Sequence, residues 1–403
     1  MNILVDHGDY NFRNIGDSTM LYVALSRLTN LFPDALFYVV SSNEQALKEL
    51  WPAAIHLPVD VKRESLNFSD LVDRPWKRSR KILKRNLRIL VVWRKDNPGK
   101  FFAELVASAD LVVAAGGGYI NDEFCGYACS VLRLLAYAHK FGCATVMVGQ
   151  GLGPVTKPVL LREMTTTLPN VDLFCLREEE NGSALLRSMK VSPEKIIVTG
   201  DDALVTGCRY FHDSLGEFCG VNLRNANYAN SSQHFSLVCA VISAFAENKA
   251  VPLEPLPVSR HVGEDDALTL ATCFGKYLTD PSGGDSIKSS AQLCRSVGNC
   301  RIVVTGSYHA AVFALAQGIP VVALVGSSYY SSKFTGLANL FPSGVEIIHL
   351  SAGGLAEKLL ASMDKLWESA DELRPALRQS AERQRAVGLL AYERIRDLVQ
   401  QRN

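Results

Sequence analysis

The chain has 403 residues, 48% hydrophobic and 21% charged, with a formal net charge of +1. That length suits two or three domains with substantial cores, and the near-neutral balance removes any global electrostatic case for nucleic acid. No run of eighteen apolar residues suggests a membrane span, and the opening MNILVDHGDY lacks the basic and apolar regions of a signal peptide.

Short β-branched runs alternate with longer amphipathic segments. Strands are predicted at NILVDH, LFYVVS, DLVVAAGG, ATVMVGQG, LFCLRE and KIIVTGDD, with helices between most of them. The alternation breaks at TGCRYFHDSLGEFCG and restarts with GVNLRN, AVPLEPLPV, CRIVVTGS and IPVVALVG. This pattern predicts an α/β protein of two facing Rossmann-like domains with parallel sheets, residues 1–210 and 211–350. Residues 351–403 read as C-terminal amphipathic helices that cross back to the first domain. The ten cysteines form no CxxC pair, which reads as a cytoplasmic chain with reduced thiols. Cys125 and Cys129, at helical spacing, read as buried packing, and no metal site is expected.

Sheets of this kind bind ligands beyond the carboxyl ends of their strands, so the strand-end turns are the candidate sites. In HGDYNFRNIGDSTM, Asn14, Gly16 and Asp17 open a helix whose free amides could meet an anion; Asp17 is either an N-cap or a catalytic group. Residues 74–95 carry ten Lys or Arg and no acid, interleaved with Ile82, Leu83, Leu87, Leu90 and Val91. That segment reads either as a contact with an anionic membrane surface or as a solvated helix face; the scarcity of aromatics argues against nucleic acid. In AAGGGYINDEF, Gly116, Gly117 and Gly118 permit close backbone approach by a ligand, with Asn121 at the following helix. VGQGLGPVTKP, residues 148 to 158, reads as a sharp turn.

Arg177 and Arg224 each close an apolar strand, where a guanidinium can grip a carboxylate or phosphate; ion pairing with Glu178 to Glu180 is the alternative for Arg177. Asp201 could accept a proton from a hydroxyl, or serve as a cap or hinge. In TGSYHAAVFALAQGIPVVAL, Gly306, Ser307 and Tyr308 bring amides to a helix start, and His309 stands in the first turn. There the helix dipole disfavours an imidazolium until an anion binds. Tyr330 and Lys333 in the next strand-end loop offer further donors.

These segments, in the order NIGD, AAGGGYIND, GQGLGP, CLREEENGSALL, VTGDDAL, GVNLRN and YHAAVFALAQGIPVVAL, resemble the polysaccharide pyruvyl transferases. The resemblance covers most of the chain and implies the two-domain GT-B arrangement. It implies transfer of a pyruvyl group from phosphoenolpyruvate, as co-substrate and with no cofactor, onto two hydroxyls of a sugar in a cell-surface glycan or its lipid-linked precursor. Arg224 corresponds to the family's anion-gripping arginine and His309 to its active-site histidine. Where the family has Arg-Leu-His, this chain has Ser307-Tyr308-His309, so one donor-binding arginine is missing. Two alternatives follow: a GT-B glycosyltransferase using a nucleotide sugar, and a non-catalytic glycan-assembly protein at the inner face of the membrane.

Overall fold

The computed structural model describes residues 1–67 and 98–402, so the basic segment 74–95 lies outside the described residues. Two compact units share the chain. The first takes residues up to Phe12, those from Met20 to Thr199 and those from Gly388 onward; the second takes Arg13–Thr19 and Gly200–Val387. The change of unit thus comes at Gly200, ahead of the expected break, and the short Arg13–Thr19 stretch belongs with the later residues.

The first unit is built on β1 (Asn2–Asp6), β2 (Leu36–Ser41), β3 (Ile55–Pro58), β4 (Leu111–Ala114), β5 (Gly117–Ile120), β6 (Ala144–Leu152), β7 (Leu173–Leu176) and β8 (Ile196–Val198). They form one parallel sheet in the order β3-β2-β1-β4-β6-β7-β8, with β5 beside β6. The strands read as unbroken apolar runs because both faces are covered. Alternate residues serve opposite cores: Leu4, Val112 and Phe174 pack on one side. Ile3, Val5, Val113 and Cys175 pack on the other with Leu21, Leu25, Tyr392 and Ile395. β6 runs one residue past the expected strand, to Leu152, and the chain turns at Gly153-Pro154; Gly117 and Gly118, expected in a loop, lie in β5.

At the carboxyl end of β1, Asp6 is ion-paired with Lys62 of the helix Val59–Asn67, both side chains 1% exposed. The Tyr10 hydroxyl donates to Asp6 Oδ1 at 2.8 Å. His7 is buried beside them against Tyr10 and Phe12, and burial lowers its imidazole from 6.5 to about 4.

The second unit holds β9 (Phe218–Asn222), β10 (Leu253–Pro255), a hairpin of β11 (Arg260–His261) and β12 (Glu264–Asp265), then β13 (Cys300–Thr305), β14 (Val321–Val325) and β15 (Val345–His349). The parallel sheet runs β10-β9-β13-β14-β15. Strand order reverses between β9 and β13, so the chain leaves those neighbours in opposite directions and opens a crevice at their carboxyl ends. The register Thr305↔Asn222 sets Arg224 and the Gly306 to His309 turn side by side there. The helix Tyr308–Ala316 that follows β13 is buried at every residue, which explains its lack of a polar face. Gly207 packs directly on its Ala316. The residues after Gly353, expected as several helices, form a single 48-residue helix, Leu355–Arg402, with Pro375 inside it.

The neutral, buried His7 makes stability depend on pH. Its folded pKa lies below the unfolded value of 6.5, so the unfolded chain binds the extra proton. The stability contribution is whole above pH 6.5 and falls as the pH drops toward 4, by about 2 kcal/mol between pH 7 and 5. Denaturation across that range should show the loss, and His7→Gln should flatten it; an unchanged slope would contradict the assignment.

Candidate active site

The turns after β9 and β13 approach each other closely: a Cβ on Gly306 would come 3.2 Å from the Arg224 amide. Arg224, 5% exposed, is held from several sides. Its Nη2 donates to the Tyr228 hydroxyl at 2.8 Å and Glu264 Oε2 at 2.6 Å, and its Nη1 to the Glu264 carbonyl at 3.1 Å and Asp266 Oδ1 at 3.4 Å. Burial works to lower the guanidinium pKa, but Asp266 and the neighbouring tyrosines raise it further above its ordinary value. It is a fixed cation. Asp266 is itself fully buried, its Oδ2 accepting from Asn222 Nδ2 at 2.9 Å, Val258 N at 3.0 Å and Ser259 N at 2.9 Å.

His309 is 7% exposed in the first turn of its helix. Its Nε2 stands 3.8 Å from Asp201 Oδ2, an ion pair when the imidazole is protonated. Asp201 is fixed through Oδ1, which accepts from Ala203 N at 2.8 Å. Gly16 lies against the opposite side of the site: a Cβ there would overlap the His309 ring. That contact is set by the chain around it. Ile15 N donates to the Val258 carbonyl at 3.0 Å, and Arg260 N to the Arg13 carbonyl at 2.7 Å. Asn14 Oδ1 accepts from Gly16 N and Asp17 N at 3.0 and 3.2 Å, so Asn14 rather than Asp17 caps the helix Ile15–Leu31.

Two of the three amides expected to meet an anion at this helix start, those of Gly306 and Ser307, are engaged within the protein. Gly306 N donates to the Asn222 carbonyl at 3.0 Å and Ser307 N to Thr305 Oγ1 at 2.8 Å, both within the protein. Two cationic side chains stand at these turns. Beside Arg224 the second such cation is Lys333, on the helix Ser328–Leu340, whose Nζ lies 4.0 Å from the ring centroid of Tyr329, 5.4 Å from Tyr330 and 6.0 Å from Tyr308. Tyr330 stacks on Tyr228 with 4° between the planes, and Tyr308 meets His309 edge-on at 5.6 Å. A continuous run of contacts thus links Arg224, Tyr228, Tyr330, Lys333, Tyr308 and His309. The cation–π contacts hold the ammonium against the three tyrosine rings.

The remaining expected residues belong to the first unit. Gly116 lets the chain pass Met20, whose side chain occupies the space a Cβ would need. Asn121 braces its own turn, accepting from Phe124 N at 3.0 Å and donating to the Gly118 carbonyl at 2.5 Å. Arg177 is 2% exposed, its guanidinium packed onto Gly151. The adjacent Glu178 accepts from the amides of Asn181 and Gly182 at 3.0 Å each. Three residues of the site were not singled out from sequence: Tyr228, Glu264 and Asp266. The acidic run after Gly263 in RHVGEDDAL was the available signal, since acids following a turn commonly cap or pair.

Gly16→Ala should destabilise the protein by about 1–3 kcal/mol, because the added methyl must push the His309 ring or the backbone aside. Gly126→Ala, where nothing lies within 4 Å, should be neutral or stabilising by up to about 1 kcal/mol. Thermal denaturation of both variants checks this; equal midpoints would contradict the contact between Gly16 and His309.

Comparison with solved structures finds the same fold in several proteins. A putative UDP-N-acetylglucosamine 2-epimerase from Listeria monocytogenes matches with TM-score 0.56 at 12% identity, over 94% of this chain and 90% of that one. The UDP-GlcNAc 2-epimerase from Neisseria meningitidis, solved with UDP-GlcNAc, matches with TM-score 0.55 at 13% identity over 100% of both chains. A glycosyltransferase from Rickettsia africae matches with TM-score 0.55 at 13% identity over 100% of this chain and 99% of that one. At such identities the likeness establishes the GT-B-like α/β fold. No curated protein matches the sequence. A family model does: it matches residues 14–328, a span that includes Asn14, Gly16, Asp201, Arg224 and His309, and by that match the chain belongs to the polysaccharide pyruvyl transferase family.

Proposed function

We propose that this enzyme moves a pyruvyl group from phosphoenolpyruvate onto two hydroxyls of one sugar, in a cell-surface glycan or its lipid-linked precursor, to form a cyclic ketal. The observation that carries the reading is the pairing, at the carboxyl ends of adjacent strands, of a fixed guanidinium with an imidazole backed by a carboxylate. Phosphoenolpyruvate brings a carboxylate and a phosphate on neighbouring positions. Arg224 and Lys333 are two cations on one aromatic run, suited to those two groups, and Lys333 stands in for the arginine that Ser307 replaces.

The chemistry follows from the geometry of His309. Protonated and held by Asp201, the imidazolium gives its proton to the methylene carbon of the donor, and positive charge develops at the carbon bearing the phosphate. A sugar hydroxyl adds there, its proton passing to a base, for which Asp17 in the neighbouring helix turn is the candidate. The bond to phosphate then breaks, phosphate leaves with its bridging oxygen, and the second hydroxyl closes the ketal as it loses its proton. Asp201, buried and engaged with Ala203 N, acts on the charge of His309. Gly116, Gly117, Gly118, Asn121 and Arg177 are candidates for the acceptor. Among the described residues no helix is long and apolar enough to cross a membrane; the proposal places the enzyme in the cytoplasm, with residues 74–95 resting on the anionic inner face of the cell membrane.

The solved neighbours named for UDP-GlcNAc favour a second reading, glycosyl transfer from a nucleotide sugar. Thermal shift separates the two, because a ligand at a hundred times its dissociation constant adds about 2.7 kcal/mol. Phosphoenolpyruvate should raise the midpoint and UDP-GlcNAc should not. In turnover assays with phosphoenolpyruvate and a sugar acceptor, His309→Ala should lower the rate about 10²–10⁴-fold. Protection by UDP-GlcNAc alone, or full turnover by His309→Ala, would overturn the proposal.

A further inference from the structure

The two carboxylates on Arg224 differ in kind. Asp266 is fully buried and bound through both oxygens, to Arg224 on one side and to Asn222, Val258 and Ser259 on the other. Removing it would strand a buried cation and three donors. Glu264 is 28% exposed and sits in β12, at the end of a hairpin whose tip residue Val262 is 84% exposed. The hairpin's own anchors lie elsewhere. Arg260 holds Asp265 Oδ1 at 2.8 Å and Asp285 Oδ1 at 2.6 Å, and the hairpin backbone is tied to Arg13. Glu264 can therefore swing its carboxylate into solvent while the strand stays in place and its carbonyl keeps Arg224 Nη1.

An anion that is to pair with Arg224 Nη2 meets a carboxylate already there, at 2.6 Å. With Asp266 and Glu264 both engaged, the cluster carries one positive and two negative charges, which repels a further anion. With Glu264 swung away, the cluster is neutral, and the guanidinium regains an open donor edge. We infer that Glu264 is a gate on the anion site of Arg224: it occupies the place of the ligand's carboxylate and must exchange with it for binding. The inference deepens the donor-site reading given above, since it rests on Arg224 as the contact for the donor's carboxylate. It makes Glu264 a determinant of donor affinity that acts by competition, and it explains how the site stays satisfied between turnovers.

The test is calorimetric titration of the full chain with phosphoenolpyruvate and, separately, with inorganic phosphate. Wild type is compared with Glu264→Gln, Glu264→Ala and the double variant Glu264→Gln with Arg224→Gln. Breaking one charge-assisted hydrogen bond before binding corresponds to about tenfold in affinity. Glu264→Gln and Glu264→Ala should therefore each bind phosphoenolpyruvate at least about tenfold more tightly than wild type, and the double variant should lose the gain. Affinity in both single variants equal to or weaker than wild type overturns the gate while leaving the donor assignment standing. Tighter binding of phosphate by the single variants, lost in the double variant, with no binding of phosphoenolpyruvate by any form, supports the gate and overturns the donor assignment. Absence of any anion binding in the single variants overturns the gate.

Discussion

The buried ion pair between Arg224 and Asp266 organises the rest of the site. Two charges withdrawn from water are costly, and such a pair is tolerated only when its remaining hydrogen-bonding capacity is filled. Asp266 fills its own by taking the side chain of Asn222 at the end of β9 and the amides of Val258 and Ser259. That same stretch pairs with the backbone around Arg13 and Ile15, which carries Gly16 to the ring of His309. One carboxylate thus fixes the guanidinium and, through two backbone bonds, the wall on which the imidazole rests. The arrangement is preorganised: neither Arg224 nor His309 needs to search for its place when a ligand arrives.

At this switch point part of the backbone is engaged within the protein. The amides of Gly306 and Ser307, just ahead of the helix Tyr308–Ala316, are taken up by Asn222 and Thr305, so they stiffen the junction of β9 and β13. Lys333 lies on tyrosine faces, and the run of contacts from Tyr228 to Tyr308 joins the two cations.

Much of this was legible in the sequence, for a definite reason. Parallel strands covered on both faces must be apolar throughout, so β1, β4, β13 and β14 announce themselves. The residues just past such strands are the ones free to be polar, which is how Arg224 and His309 stand out. Gly16 was legible as part of a motif but not as a contact, since its need for a bare Cα comes from a ring some three hundred positions away. What could not be read was partnership. Asp266 follows another acid in RHVGEDDAL, and nothing local tells which of Glu264, Asp265 and Asp266 turns inward. The structure sends Asp265 to Arg260 and to a helix cap, and the other two to Arg224. Of the triple glycine, Gly117 and Gly118 lie in β5 and Gly116 does not, a division the sequence does not show because glycine in a strand and glycine in a loop look alike until β5 is seen beside β6.

The account depends on a small donor with two anionic groups being received where β9 and β13 end. A crystal structure of the protein with phosphoenolpyruvate tests that most directly. It should show the donor's carboxylate on the Arg224 guanidinium, the phosphate toward Lys333 and the methylene carbon within reach of the His309 ring. Density for the donor anywhere else, with Arg224 still closed on Glu264, would contradict it.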